Sequence, residues 1–165
     1  PAAKTRMEQV ALARMEAGGG QPRVAILNPS LILGPAFQDE PPGAYRFLAR
    51  ILAGERGADG APDGSMSIID VRDLAALHVA ALEQPGARGR TFGVARSWHW
   101  QDILEALDRA VPAYTAPDWP EGRDRARPTR FDLTRRDSLG IEVRGLDAII
   151  EGAVAELERR DMLPG

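Results

Sequence analysis

The 165-residue chain contains no cysteine, which excludes disulfides and thiolate metal sites. It has two histidines, far apart, and that argues against a metal cluster. A cysteine-free chain suits a reducing compartment, so the expected location is the cytoplasm. Aromatic residues make up 5% of the sequence, too few for a large aromatic cage. No apolar run approaches membrane-spanning length and the first residues lack a signal-peptide pattern, so no membrane partner is expected. A segment upstream of Pro1 would carry any targeting signal with it. Neither sign of charge dominates. The formal net charge of -3 gives no general pull toward nucleic acid or acidic lipid. The densest basic patch, EGRDRARPTRFDLTRR, is interrupted by acids and a proline and reads as a solvated loop. There is no internal repeat and no low-complexity segment.

What is present alternates between helix and strand signals. In PAAKTRMEQVALARMEAGGG, Met7, Val10, Ala11 and Met15 recur on one helical face, with Arg6, Glu8, Gln9 and Arg14 largely off it. Lys4, one turn before Met7, extends that stripe. Gly18 to Gly20 and Pro22 end the helix. RVAILNPS is a short apolar run closed by Asn28 and Pro29, expected to be a strand buried on both faces. PPGAYRFLARILAGE spaces Tyr45, Leu48 and Leu52 as a helix, and RGADGAPDGS after it is expected to be the most mobile loop. SMSIID reads as a strand, VRDLAALHVAALEQPGARG as a helix with Leu74, Leu77, Ala81 and Leu82 inward, and RTFGVA as a third strand. WQDILEALDRAVP is a helix stopped by Pro112. GLDAIIEGAVAELERRDML is a closing amphipathic helix with Leu146, Ile149, Ile150, Val154 and Leu157 on one side.

This alternation predicts α/β architecture. Few strands are available for a complete sheet. RVAIL carries nothing to protect an edge and needs two neighbours, of which RTFGV supplies one through a crossover connection. The other is not apparent, so part of the sheet is expected to lie outside this sequence.

The polar residues have ordinary readings. Asp70 and Asp73 have the spacing of a helix cap and a first-turn carboxylate. Arg72 between them reads as a structural salt bridge. His78, on the apolar stripe between Leu74 and Leu82, is expected to be a hydrogen-bonded core histidine, and His99, between Trp98 and Trp100, to be packing or surface. The two tryptophans are expected to serve the core.

In this order and at these separations, NPSLILGP, SIIDVRDLAALHVAALEQPGARGRTF and LGIEVRGLDAIIEGAVAELERRDML resemble the carboxy-terminal half of an extended short-chain dehydrogenase/reductase. That group lies in the epimerase/dehydratase superfamily, and the dihydroflavonol-reductase-like ketone and aldehyde reductases are the nearest in look. The resemblance implies a partial Rossmann-like, doubly wound parallel sheet plus a small α/β substrate-binding lobe. It assigns 1–35 to the catalytic-lysine helix and a late Rossmann strand. It assigns 36–165 mainly to the substrate lobe, with another Rossmann strand near 90–95 and a closing helix at 145–162.

The family's Tyr-x-x-x-Lys would place Lys4 as the lysine and the tyrosine immediately before Pro1. An ammonium about 4 Å from a phenol at an effective dielectric near 20 is worth about 4 kcal/mol, enough to move a tyrosine from about 10 toward neutrality. Lys4 is thus the implied catalytic residue, and it also holds the nicotinamide ribose. A surface lysine paired with Glu8 is the ordinary alternative. Pro29, Ser30, Leu31 and Ile32 are implied to meet the nicotinamide carboxamide and ring, at the carboxyl end of a strand where such sheets bind ligands. Phe37 and Tyr45 are candidates to line the substrate pocket, against an equal case for lobe packing. The cofactor implied is NADP ahead of NAD.

The partners implied are a small carbonyl substrate and an upstream half, supplied in the same chain or by a partner, with no nucleic acid and room for a homodimer. A non-catalytic binding or assembly module derived from the same fold is the competing reading, and a segment of a sugar-nucleotide epimerase or dehydratase a further one. By itself the chain is expected to lack dehydrogenase activity, to bind dinucleotide weakly or not at all, and to self-associate through an uncovered strand edge. Calorimetric titration with NADPH and sedimentation check this. A monomeric, cooperatively melting chain with micromolar affinity would contradict it.

Overall fold

A computed structural model describes residues 2–55 and 60–164. The first four residues of the loop expected to be most mobile, 56–59, lie outside the described residues.

The chain opens with helix α1, Ala2–Ala17. Its end follows from the glycines. Gly18 N–H donates to Arg14 O at 3.0 Å and Gly20 N–H to Met15 O at 2.8 Å, while Gly19 and Gly20 take left-handed φ of 64° and 93°. A Cβ on Gly18 would lie 2.0 Å from Gln21 O, so the position tolerates nothing larger.

Strand β1, Ala25–Asn28, pairs in parallel with β4, Gly89–Phe92, in the register Ala25 with Gly89 and Asn28 with Phe92. The expected partnership of RVAIL with RTFGV is therefore present. Among the described residues these two strands form a sheet of their own. Three further strands make the second sheet: β2, Leu31–Leu33, parallel to β3, Ser65–Asp70, and β5, Arg96–His99, antiparallel to β3. β5 was not expected. Its four residues lead straight into helix α4, Trp100–Ala110, and their strand signal is too short to separate from the helix that follows. The other helices are α2, Gly43–Leu52, α3, Val71–Glu83, α5, Thr134–Asp137, and α6, Leu146–Arg159.

Alternation along β3 divides the interior in two. Ile68 enters the larger core, with Tyr45 and Leu48 of α2, Ile103 and Leu107 of α4, and Ile149, Ile150 and Leu157 of α6. Its neighbour Ile69 enters a smaller core with Leu74, Leu77, Ala80 and Ala81 of α3, against which Ala25 and Leu27 of β1 pack. The spacing of Tyr45, Leu48 and Leu52, and of Ile149, Ile150 and Leu157, thus predicted the buried faces of α2 and α6 correctly. Trp98 and Trp100 pack against the larger core, as expected.

Three expectations need correction. The stripe through Met7 and Val10 is not buried: Met7 is 71% exposed, and α1 rests on the sheet by Glu8, Ala11, Leu12 and Met15 instead. Lys4, one turn before Glu8, belongs to that second face. Leu82 is 76% exposed, because α3 contacts β1 and β3 on the side of Leu74, Leu77 and Ala81. His78 is also exposed, its Nδ1 lying 2.8 Å from Leu74 O on its own helix. By contrast, His99 is buried and caps α4, its Nδ1 accepting from Gln101 N–H at 3.1 Å.

Arginines tie backbone to backbone. Arg23 donates to Ala81 O at 2.6 Å, a bare carbonyl at the carboxyl end of α3 where a positive charge is favoured, and to Ala87 O at 2.7 Å in the turn beyond it. Arg136, buried on α5, donates to Val94 O and Ala95 O, each at 2.6 Å, where the chain passes from the first sheet to the second. Arg160 reaches Asp39 O at 3.0 Å and Gln38 O at 2.7 Å and is itself held by Glu156 at 2.6 Å. Glu156 is buried, and its hydrogen bonds from Arg159 and then Arg160 outweigh the cost of burial, holding the carboxyl down at about 2. The folded value lies below the ordinary 4.5, so this stabilisation is complete above that range and disappears as pH falls toward about 2. Thermal melts across that interval should show Tm falling in the wild type. The fall should be shallower in Glu156→Gln, which starts from a lower Tm.

Candidate functional site

The residues singled out in the sequence fall into two groups, one about the carboxyl end of β1 and one past the carboxyl end of β2. Asn28 ends β1, its carbonyl accepting from Gly93 N–H at 3.0 Å. Gly93 is required by this close approach: a Cβ there would meet Leu74 Cδ1 at 3.0 Å and Pro29 N at 3.4 Å. Pro29 and Ser30 are exposed as they leave the strand. Leu31 and Ile32 are half-buried in β2, facing Ile68 and Ile69 in register. β2 is an edge of its sheet among the described residues, so one side of its backbone stays outside the ladder.

Glu8 joins α1 to this end of the sheet. Its carboxylate accepts from Asn28 Nδ2 at 3.1 Å and from Arg90 Nε at 2.8 Å. Lys4, one turn further from the sheet on the same face, is exposed. The ordinary alternative, a pair with Glu8, is not formed; Glu8 is engaged by Arg90, and no ion pair to Lys4 occurs among the described residues. Asn28 Oδ1 is buried and has no hydrogen-bond partner among the described residues. A buried, unpaired acceptor next to an exposed strand exit is a candidate to receive a donor from a ligand. Asn28 and Glu8 were absent from the residues chosen from the sequence. The available signal was a polar side chain closing an apolar strand.

The second group lines a cleft of about 530 Å³ bounded by Ile32, Gly34, Pro35, Phe37, Tyr45 and Val71. Phe37 and Tyr45 share it but play unlike parts. Phe37 is 99% exposed at its rim, whereas Tyr45 is 1% exposed in its floor, with its hydroxyl donating to Gly34 O. Burial, with the nearby Glu156 charge, pushes the Tyr45 phenol up to about 12, so it shapes the cleft and does not exchange protons near neutrality.

Beneath the cleft lies Asp70, fully buried at the end of β3. It caps α3 by accepting from Arg72 N–H at 2.8 Å, and it receives Arg72 Nε at 2.8 Å and Nη2 at 2.7 Å. Burial alone would raise this carboxyl, but the Arg72 side-chain and backbone bonds outweigh it and keep it below the usual range. The cap and the salt bridge expected for Asp70 and Arg72 are both present. Asp73, in the first turn and buried, accepts from Arg144 N–H at 2.8 Å and pairs with the same arginine's guanidinium.

No protein-family model matches the chain. It is 31% identical over 143 residues to cinnamoyl-CoA reductase 1 of Oryza sativa subsp. japonica, covering 86% of this chain and 42% of that protein. The chain thus spans about two-fifths of the length of the curated relatives it matches. Among solved structures it superposes on vestitone reductase from alfalfa (Medicago sativa) with a TM-score of 0.75 at 18% identity, over 94% of this chain and 50% of that one. It also superposes on the yeast methylglyoxal/isovaleraldehyde reductase Gre2, solved with NADPH, with a TM-score of 0.73 at 21% identity, over 93% and 53%.

Gly34 offers the sharpest test of the cleft's construction. Its φ is 104°, and an added Cβ would stand 3.0 Å from both Asp70 carboxylate oxygens. Gly34→Ala should lose about 2 kcal/mol or more of stability in urea denaturation, since strain and crowding act together. An unchanged midpoint would mean that the turn relaxes away from Asp70.

Proposed function

The chain belongs to the extended short-chain dehydrogenase/reductases of the dihydroflavonol-reductase-like group, and on that premise we propose that it forms the nicotinamide-side and substrate-side portion of an NADP(H)-dependent carbonyl reductase. The observation that carries this reading is the arrangement of Lys4, unpaired by its neighbour Glu8, above a strand end where Asn28 Oδ1 is buried without a partner.

These residues fit the nicotinamide half of a dinucleotide. Asn28 Oδ1 accepts from an amide or hydroxyl, the open backbone edge at Leu31 and Ile32 exchanges hydrogen bonds with the carboxamide, and Pro29 and Ser30 border the ring. Lys4 donates to the ribose hydroxyls. Among the described residues Gly18 to Gly20 do not form a pyrophosphate turn, because they close a helix where such a turn opens one. When bound, the cofactor supplies a hydride to a carbonyl carbon. The proton for the carbonyl oxygen comes from a tyrosine four positions before Lys4 on the same helical face, whose phenolate the ammonium stabilises. Phe37 and the cleft above Tyr45 take the carbonyl substrate's body, in the variable lobe formed by 36–165. Its size, about 530 Å³, suits a small organic ketone or aldehyde.

The test is to titrate the chain with NADPH and NADH, alone and joined to an upstream half ending in tyrosine. Binding and turnover are expected in the joined protein, with NADPH ahead of NADH. Lys4→Met should then lower kcat by about a hundredfold or more with little change in Tm, as loss of a charge acting on proton transfer predicts. If the joined protein binds neither dinucleotide, the reductase reading falls and the non-catalytic module stands.

A further inference from the structure

The rim of the cleft is an irregular stretch, Gly34 to Pro42, that carries the chain from β2 to α2. Its two ends are fastened from α2. Tyr45 donates its hydroxyl to Gly34 O, and Arg46 Nη1 donates to Pro41 O at 2.7 Å. Among the described residues, no backbone-to-backbone hydrogen bond involves residues 35–41. The middle of the rim is held from the end of α6 instead. Arg160 Nη2 donates to Ala36 O at 3.2 Å and to Gln38 O at 2.7 Å, and its Nη1 donates to Asp39 O at 3.0 Å. Arg159 adds a longer bond of 3.4 Å to Ala36 O.

The two carbonyls on Arg160 Nη2 belong to the residues on either side of Phe37. That ring is 99% exposed, so packing does not fix where it stands. Its place follows from its backbone, and the backbone is held by Arg160. The arginine side chain is only 7% exposed and its Nε is taken by the buried Glu156 at 2.6 Å, so the planar fork is aimed in advance. Arg160 lines a separate hollow of about 730 Å³, which meets the cleft along Pro35 to Gln38. It therefore acts on a ligand in the cleft through the rim. Removing it leaves little else broken. Glu156 keeps Arg159 at 3.0 and 2.6 Å, and Gln38 and Asp39 are exposed, so water takes the carbonyls set free. The arginine contributes position more than stability.

We propose that Arg160 is a positioning residue for substrate: by clasping the carbonyls that flank Phe37 it sets that ring as a fixed wall for the apolar body of a carbonyl compound, and so favours ring-bearing or bulky ketones and aldehydes over short ones. This rests on the reductase reading above. An aromatic ring contributes most to binding where its location is fixed beforehand, because ordering it during binding offsets part of the gain. Ile32, Leu33, Pro35 and Val71 make the rest of the lining apolar to match.

The experiment compares 4-phenyl-2-butanone with 2-butanone, the same methyl ketone without the ring, in the chain joined to an upstream half ending in tyrosine. Arg160→Gln should raise KM for the ring-bearing ketone about tenfold, leave KM for 2-butanone within about twofold, and change kcat for either by about twofold at most. Arg160→Lys, whose single ammonium cannot span the same carbonyls, should raise KM for the ring-bearing ketone about threefold. Phe37→Ala should itself raise that KM, and in its background Arg160→Gln should add no more than about 1.5-fold. An unchanged KM in Arg160→Gln would overturn the proposal, as would a rise equally large with Phe37 absent. An equal rise for both ketones would do the same, being the mark of a general loosening. A second measurement needs no cofactor. Chymotrypsin should cut the chain after Phe37 about tenfold faster in Arg160→Gln than in the wild type, since the rim then opens more often. An unchanged cutting rate would show that Arg160 does not hold the rim. If the joined protein binds no dinucleotide, the reductase reading falls and takes the substrate role with it, whereas an unchanged cutting rate removes Arg160 alone.

Discussion

The pairing of buried Asp70 with the more exposed Arg72 is the constraint around which the rest is arranged. A carboxylate removed from water is costly unless every lone pair finds a partner, and Asp70 has both the guanidinium fork and the first-turn N–H of α3. That requirement fixes the start of α3 against the end of β3. Two glycines then allow the surroundings to close in. Gly34 brings the turn after β2 within contact of the carboxylate, and at Gly152 a Cβ would stand 3.0 Å from Arg72 Nη2, so α6 can lie directly over the pair. The cleft lined by Phe37 and Tyr45 is the space left above these contacts.

A second arrangement follows from the passage between the two sheets. The chain leaves β4 at Gly93, is gripped by Arg136 at Val94 and Ala95, and re-enters as β5. One short segment therefore links the two sheets, with β4 paired to β1 before it and β5 paired to β3 after it.

Much of this was legible in the sequence. The helical faces of α2 and α6, the pairing of RVAIL with RTFGV, the cap at Asp70 and the stop at Gly18 all rest on local periodicity or turn chemistry, which sequence carries directly. The face of α1 was misread because Met7 and Val10 are apolar and correctly spaced, yet nothing among the described residues covers them; burial depends on a neighbour, and periodicity reports none. Leu82 and His78 failed for the same reason, with one stripe of α3 wider than the surface it meets. β5 escaped because a strand of four residues beside a helix start has no pattern of its own. Of the site residues chosen by resemblance, Pro29 to Ile32 follow the end of β1, and Lys4 lies on α1 one turn before Glu8, which bonds Asn28. Asn28 was invisible because what marks it is a missing partner, which only coordinates disclose.

One property of Lys4 reaches beyond its place on α1. It is the only lysine among twenty-one basic residues; every other cationic side chain in this protein is a guanidinium. Arginine suits the many sites where one planar fork must bridge two backbone carbonyls, as Arg23 and Arg136 do, and a compact ammonium would serve these poorly. The outcome is a polypeptide with one side-chain amine. A lysine-specific endoproteinase meets a single address within this sequence, on α1, and amine-directed reagents can modify one side chain there besides the α-amino group.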